Sequence, residues 1–110
     1  MIDAPTLGTG NLAPVSPGIL FGAITLPDGQ TYPASMGTRT IDAHGVSHAL
    51  LVVGFERCAL MLIPPGIDPP EPEYWHGHIW IGGYEYRVRI DPGSWVVRLM
   101  DEHQRVPFTD

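Results

Sequence analysis

The sequence predicts an all-β protein, a small antiparallel barrel or sandwich of six to seven strands with an extended N-terminal arm and a proline-rich loop. Three observations lead there. Residues Ile79–Ile90 and Trp95–Met100 form three runs of alternating apolar and polar residues, separated by Gly82-Gly83 and by Asp91-Pro92-Gly93-Ser94. That pattern reads as a three-stranded meander. Thirteen Gly and twelve Pro in 110 residues cut the chain into pieces better suited to strands and loops than to helices. The longest apolar stretch, His48 to Ile63, contains Val52, Val53 and Gly54, which lower helix propensity. At 110 residues the chain makes one domain able to bury about two thirds of its unfolded surface without a metal or disulfide.

Taken in order, Met1 to Gly18 carries Pro5, Gly8, Gly10, Pro14, Pro17 and Gly18 with little periodicity, so residues 1–18 are expected as an extended arm that docks on a neighbour. Residues 19–110 are expected as a single β domain. Gly18 to Leu26 is an apolar strand-forming run, Pro27-Asp28-Gly29 a turn, and Gln30 to Pro33 a short returning strand. Met36 to His44 is mixed, with an irregular strand around Thr38 to Ile41. His48 to Ile63 admits either one buried helix or strands near Ala49–Phe55 and Cys58–Ile63, and the strands are favoured. Pro64 to Glu73 holds five prolines and three acids, Asp68, Glu71 and Glu73. It is expected as a stiff exposed loop, because proline cannot donate to a central ladder.

The register of the meander follows from its turns. A two-residue loop at Gly82-Gly83 sets Ile81 against Tyr84, Trp80 against Glu85, Ile79 against Tyr86, His78 against Arg87 and His76 against Arg89. Trp75, Ile79, Ile81, Tyr84, Tyr86, Val88 and Ile90 then share the core face. A four-residue loop at Asp91–Ser94 sets Ile90 against Trp95, Val88 against Val97, Tyr86 against Leu99 and Arg87 against Arg98. It adds Trp95, Val97 and Leu99 to the core. The opposite face collects His76, His78, Trp80, Glu85, Arg87, Arg89, Val96, Arg98 and Met100.

Six Arg, no Lys and twelve acids give a formal charge of −6, which opposes general nucleic-acid or anionic-membrane binding through the net field. The single cysteine, Cys58, excludes an intrachain disulfide and any multi-cysteine metal site, and fits a reducing compartment. No basic segment followed by an apolar core opens the chain, and no apolar run approaches the roughly eighteen residues of a spanning helix. No signal peptide, no membrane segment and a cytoplasmic location are therefore expected.

His76-Gly77-His78 puts two imidazoles on one strand face at a spacing that can chelate a metal, with His44 or His48 as a third ligand. The facing Arg87 and Arg89 oppose a divalent cation, so neither a metal nor a cofactor is expected. The same face suits a partner's carboxylates, because guanidinium groups bind these bidentately. Arg87, Arg89 and Arg98 with Trp80 have the composition of an interface hot spot. Ser47–Phe55 looks like the histidine-bearing strand of papain-like cysteine proteases, but Cys58 lies downstream of His48 inside an apolar run, where a thiol is inert. No phosphate-binding Gly-rich loop and no Gly-x-Ser-x-Gly elbow occur, so no enzyme is expected.

An apolar strand, Gly82-Gly83, an aromatic-x-Arg-Val-x-Ile strand, Asp91-Pro92-Gly93 and a final strand ending in Asp101-Glu102 follow Pro65-Gly66-Ile67. Over residues 65–102 this resembles the head–tail joining (head-completion or stopper) proteins of tailed bacteriophages. The resemblance implies a small β-barrel that forms a ring between portal and tail and helps close the DNA channel. Its partners would be copies of itself and portal, adaptor or tail proteins, with DNA only passing through, in a virion assembled in the host cytoplasm. Asp68, Glu71 and Glu73 would meet a neighbour or line the channel, and Arg87, Arg89, Arg98 and Trp80 would meet the next subunit. Two other readings stay open. One is a small acidic monomeric binding or inhibitor protein, and the other a metal-dependent enzyme using His76 and His78.

Overall fold

The structure is a computed structural model that describes residues 7–37 and 39–104. It contains strands and no helix: β1 Gly8–Ser16, β2 Ile19–Thr25, β3 Thr31–Met36, β4 Thr40–Ile41, β5 Ser47–Val53, β6 Glu56–Ile63, β7 Gly66–Ile67, β8 Pro70–Glu71, β9 Tyr74–Ile81, β10 Tyr84–Ile90 and β11 Val96–Gln104. Eight of these make an antiparallel barrel in the order β3-β2-β1-β11-β10-β9-β6-β5, closed by pairing of β3 with β5. Each barrel strand lies beside its neighbours in sequence, so the topology is up-and-down. Closure leaves no unpaired edge along the wall. Strand β4 continues the line of β3 along β5, the two being joined by the Gly37 amide donating to the Leu50 carbonyl at 2.9 Å.

The barrel has eight strands where six to seven were expected, and the addition comes from the supposed arm. Residues 8–16 form β1, paired on one side with β2 and on the other with β11, so the barrel begins at Gly8 and not at residue 19. Residues 1–6 of the expected arm lie outside the described residues. The inward positions of β1 are Gly8, Gly10 and Leu12, which leaves only one apolar side chain to mark the buried face. Those glycines are needed for close approach. A Cβ at Gly8 would lie 2.9 Å from the Thr25 carbonyl oxygen, and one at Gly10 would lie 2.8 Å from Cγ1 of Ile24.

Residues 48–63 form two strands, not a helix. The hairpin between β5 and β6 turns through Gly54-Phe55, with Gly54 at φ 60 as a tight loop of this kind requires at its first position. The proline-rich segment stays out of the barrel as expected, but it is not wholly irregular. Residues 66–71 make a two-stranded ribbon, β7 with β8, all of it exposed and carrying a cis peptide at Asp68–Pro69.

Strands β9 and β10 pair as expected, from Tyr84 with Ile81 to Ile90 with Trp75, through a loop whose two glycines both have positive φ. The pairing of β10 with β11 departs from expectation by two residues. Ile90 faces Val97, Val88 faces Leu99, Arg89 faces Arg98 and Arg87 faces Met100. The cause is a wider loop: the Trp95 amide bonds back to the Asp91 carbonyl at 2.8 Å, and Trp95 takes φ 56, which turns it off the strand. A shift of two keeps side-chain parity, so Val97 and Leu99 still face inward. A further irregularity between Glu85 and Arg87 leaves an extra residue on β11.

Ile24, Leu51, Leu60, Ile79, Val88, Ile90, Val97 and Leu99 fill the interior, each at most 1% exposed. Two members of the expected polar–apolar division behave otherwise. Tyr84, at the end of the core face, is exposed, whereas Met100 on the outer face is buried, with Nη2 of Arg87 lying 3.9 Å from its sulfur.

Candidate functional site

The outer face of β9, β10 and β11 carries the residues singled out from the sequence. Cross-strand pairing aligns His48, Met61, His76, Arg89 and Arg98 in one row across five strands, so three cationic or imidazole groups stand side by side. Two arginines directly opposite one another repel. Asp91 offsets this, its carboxylate lying 3.3 Å from Nε of Arg89 and 3.7 Å from Nη2 of Arg98. The Arg89 guanidinium also sits 4.1 Å from the centre of the Tyr74 ring, a cation–π contact. Trp80 and His78 are exposed further along the same face.

Tyr74, His76 and His78 form a ladder of edge-to-face rings along β9, with centroids 6.4 and 5.1 Å apart. The His76 pKa is lowered, first by partial burial and then by the charges of His78 and Arg87. A nitrogen held in its neutral form is a potential ligand, but ligands must converge. Among the described residues no group of three or more His, Cys, Asp or Glu side chains is placed to hold a metal. His48 is two strands away behind Met61 and is engaged at 2.8 Å by Asp42. Asp42 also accepts from the amides of His44 and Val46, at 2.8 and 3.0 Å, which fixes the turn before β5; its pKa is lowered, first by the His48 hydrogen bond and then by these amides. His48 and the His76–His78 pair thus belong to two separate arrangements.

The acidic residues are divided too. Glu71 lies in the exposed ribbon and Asp68 in its turn, while Glu73 has left the ribbon and lines the mouth of the barrel. Cys58 is 1% exposed, and burial pushes its thiol up to about 12, so it is an inert core residue as the sequence implied.

Two features escaped the sequence. Val15, Ile19 and Phe21 on the outside of β1 and β2 are 63%, 44% and 50% exposed. Ala13 faces Phe21 and Ser16 faces Ile19 across these strands, so the exposed side chains form one apolar patch. Strand β2 is four strands from β9 in either direction round the wall, which sets this patch on the side opposite Trp80 and His78. The second feature is a cavity of about 370 Å³ at the barrel end where β1, β3, β6 and β10 finish. Its walls come from segments scattered through the chain, and the only trace in the sequence was the pair of tryptophans, Trp75 and Trp95.

Among the described residues no helix is long and apolar enough to cross a membrane. Comparison of the chain with models of known protein families, with characterised proteins and with solved structures finds no match.

Proposed function

We propose that the chain is a non-catalytic assembly subunit that forms a ring through two unlike faces of its barrel. The observation that carries this reading is the placement of an exposed apolar patch, Val15, Ile19 and Phe21, on the side opposite the exposed Trp80 and His78, from which the basic face runs across Arg87 and Arg89 to Arg98 on β11, the strand that pairs with β1. An interface between different patches on successive copies is heterologous, and it closes into a ring when the rotation per subunit divides a full turn. Aromatic and arginine side chains supply the anchors of such contacts. The ribbon acids Asp68 and Glu71 supply complementary charge to Arg87, Arg89 and Arg98 of the next copy.

The resemblance of residues 65–102 to phage head–tail joining proteins gives the ring a place, between portal and tail of a virion. A chain with a formal charge of −6 repeated round a channel lets DNA pass without being held, since tight binding needs cations on the phosphates.

Native mass spectrometry over a wide concentration range tests the reading. The wild-type chain is expected to form closed oligomers, and Phe21→Asp and Trp80→Asp, on opposite sides of the wall, are each expected to abolish them. Mixing these two variants is then expected to restore one-to-one dimers only, because a single intact interface remains between them. A wild-type chain that stays monomeric to millimolar concentration overturns the ring.

A further inference from the structure

We propose that the mouth of the barrel binds a small flat molecule bearing one carboxylate, an aromatic acid. The site opens at the end of the barrel, whereas the assembly faces lie on its sides; they share Ile19, so Arg39 and Leu62, which line the cavity and belong to neither face, separate the two. An eight-stranded barrel is just wide enough to be filled by side chains or to hold one small ligand, and here the filling stops short of one end. The cavity of about 370 Å³ lies within the range of small-molecule pockets, roughly 300–1,000 Å³. Trp75, Leu20, Met36, Leu62 and Trp95 give it an apolar lining.

Trp95 is held there against its own preference. It is the one described residue other than glycine with positive φ, and a bulky side chain in that region marks strain. The surroundings impose it: the Trp95 amide donates to Asp91, the Trp95 carbonyl accepts from Leu12 at 3.0 Å, and Nδ2 of Asn11 donates to the Ser94 carbonyl at 3.1 Å. Backbone strain of this kind is retained where it positions a functional group. Its effect is to set a large flat ring at the rim of the cavity.

Arg39 supplies the polar contact. Its Nε donates to Oγ of Ser47 at 2.8 Å, and Ser47 is only 5% exposed, so the guanidinium is tethered to the wall by a buried hydroxyl. Among the described residues Arg39 makes no ion pair. Its two terminal nitrogens match a carboxylate. Glu73 lines the cavity from the start of β9, three strands away round the wall, and repels a second anion. A ligand with one acidic group is therefore oriented, its carboxylate on Arg39 and its rings between the tryptophans.

Isothermal titration calorimetry with naphthalene-2-carboxylate and the neutral naphthalene-2-carboxamide tests this on the full chain. Saturable one-to-one binding is expected, with the acid about tenfold tighter than the amide, as a charged hydrogen-bonded pair gives. Arg39→Gln is expected to bring the acid down to the affinity of the amide and leave the amide unchanged. Leu62→Trp, which fills the cavity, is expected to remove both, with circular dichroism checking the fold; should that variant not fold, Arg39→Gln decides alone. Absence of saturable binding at millimolar acid overturns the proposal. So does an acid bound no more tightly than the amide, or acid binding insensitive to Arg39→Gln.

Discussion

At the scale of the residue, what the barrel demands most strictly is an absence of side chains. A Cβ at Gly77 would lie 2.7 Å from both the Ala59 carbonyl oxygen and the Cys58 sulfur, in a strand buried on that side. Gly77→Val should therefore cost about 1–3 kcal/mol through overpacking, read by urea denaturation. His76 makes a second prediction, about pH. Its folded pKa is depressed, so the folded state favours the neutral ring and the unfolded state takes up a proton first as pH falls. Its contribution to stability is complete above the unfolded value near 6.5 and is lost as pH drops below that toward the folded value. Tyr74, His78, Arg87 and Arg89 face it from its own strand and from β10, and none of them is an acid that would reverse the sign. The Tm should fall between pH 7 and pH 5.5, and His76→Gln should flatten part of that fall; a variant with an unchanged slope would refute the assignment.

At the scale of the element, hairpins announced themselves and their partners did not. Gly82-Gly83 dictated the β9–β10 register because both loop positions need positive φ, which glycine alone adopts at no steric cost. The next turn misled because Trp95, a residue with no sequence mark of left-handed backbone, lengthens the loop and moves β11 by two. What holds Trp95 there comes from β1, eighty-four residues away in sequence, through Asn11. Asn11→Ala should thus destabilise the protein by about 1 kcal/mol and shift the Trp95 fluorescence, while Asn11→Asp, which cannot donate to the two carbonyls, should do the same. Unchanged emission in both would show that the loop holds itself. Strand β1 was missed for a related reason: glycine on its inward side removed the alternation that reveals a strand.

At the scale of the whole molecule, eight strands close on one another through the pairing of Ala34, Ser35 and Met36 with Val53, Val52 and Leu51. Closure is cooperative, so disruption there should be felt throughout. Ala34, 1% exposed at this seam, is a stringent probe: Ala34→Asp should bury an unpaired carboxylate and abolish the cooperative thermal transition. A variant that keeps its Tm would mean that the seam contributes little. The opposed faces proposed for assembly and the cavity at the barrel mouth also belong to this scale, since β2 and β9 come to stand on opposite sides only when the wall closes. The sequence by itself determined the fold class, the hairpins at Gly82-Gly83 and at Pro27-Asp28-Gly29, the exposure of the proline-rich segment and the cationic character of one strand face. These depend on side-chain period and on the backbone freedom of single residues, which are local. Only the tertiary structure decided that residues 8–16 complete the wall, that Arg89 faces Arg98, that His48 stands apart from His76, and that Arg39, Trp75 and Trp95 meet round one cavity. Each of those juxtapositions depends on which strands become neighbours, and that is set by the packing of the entire barrel.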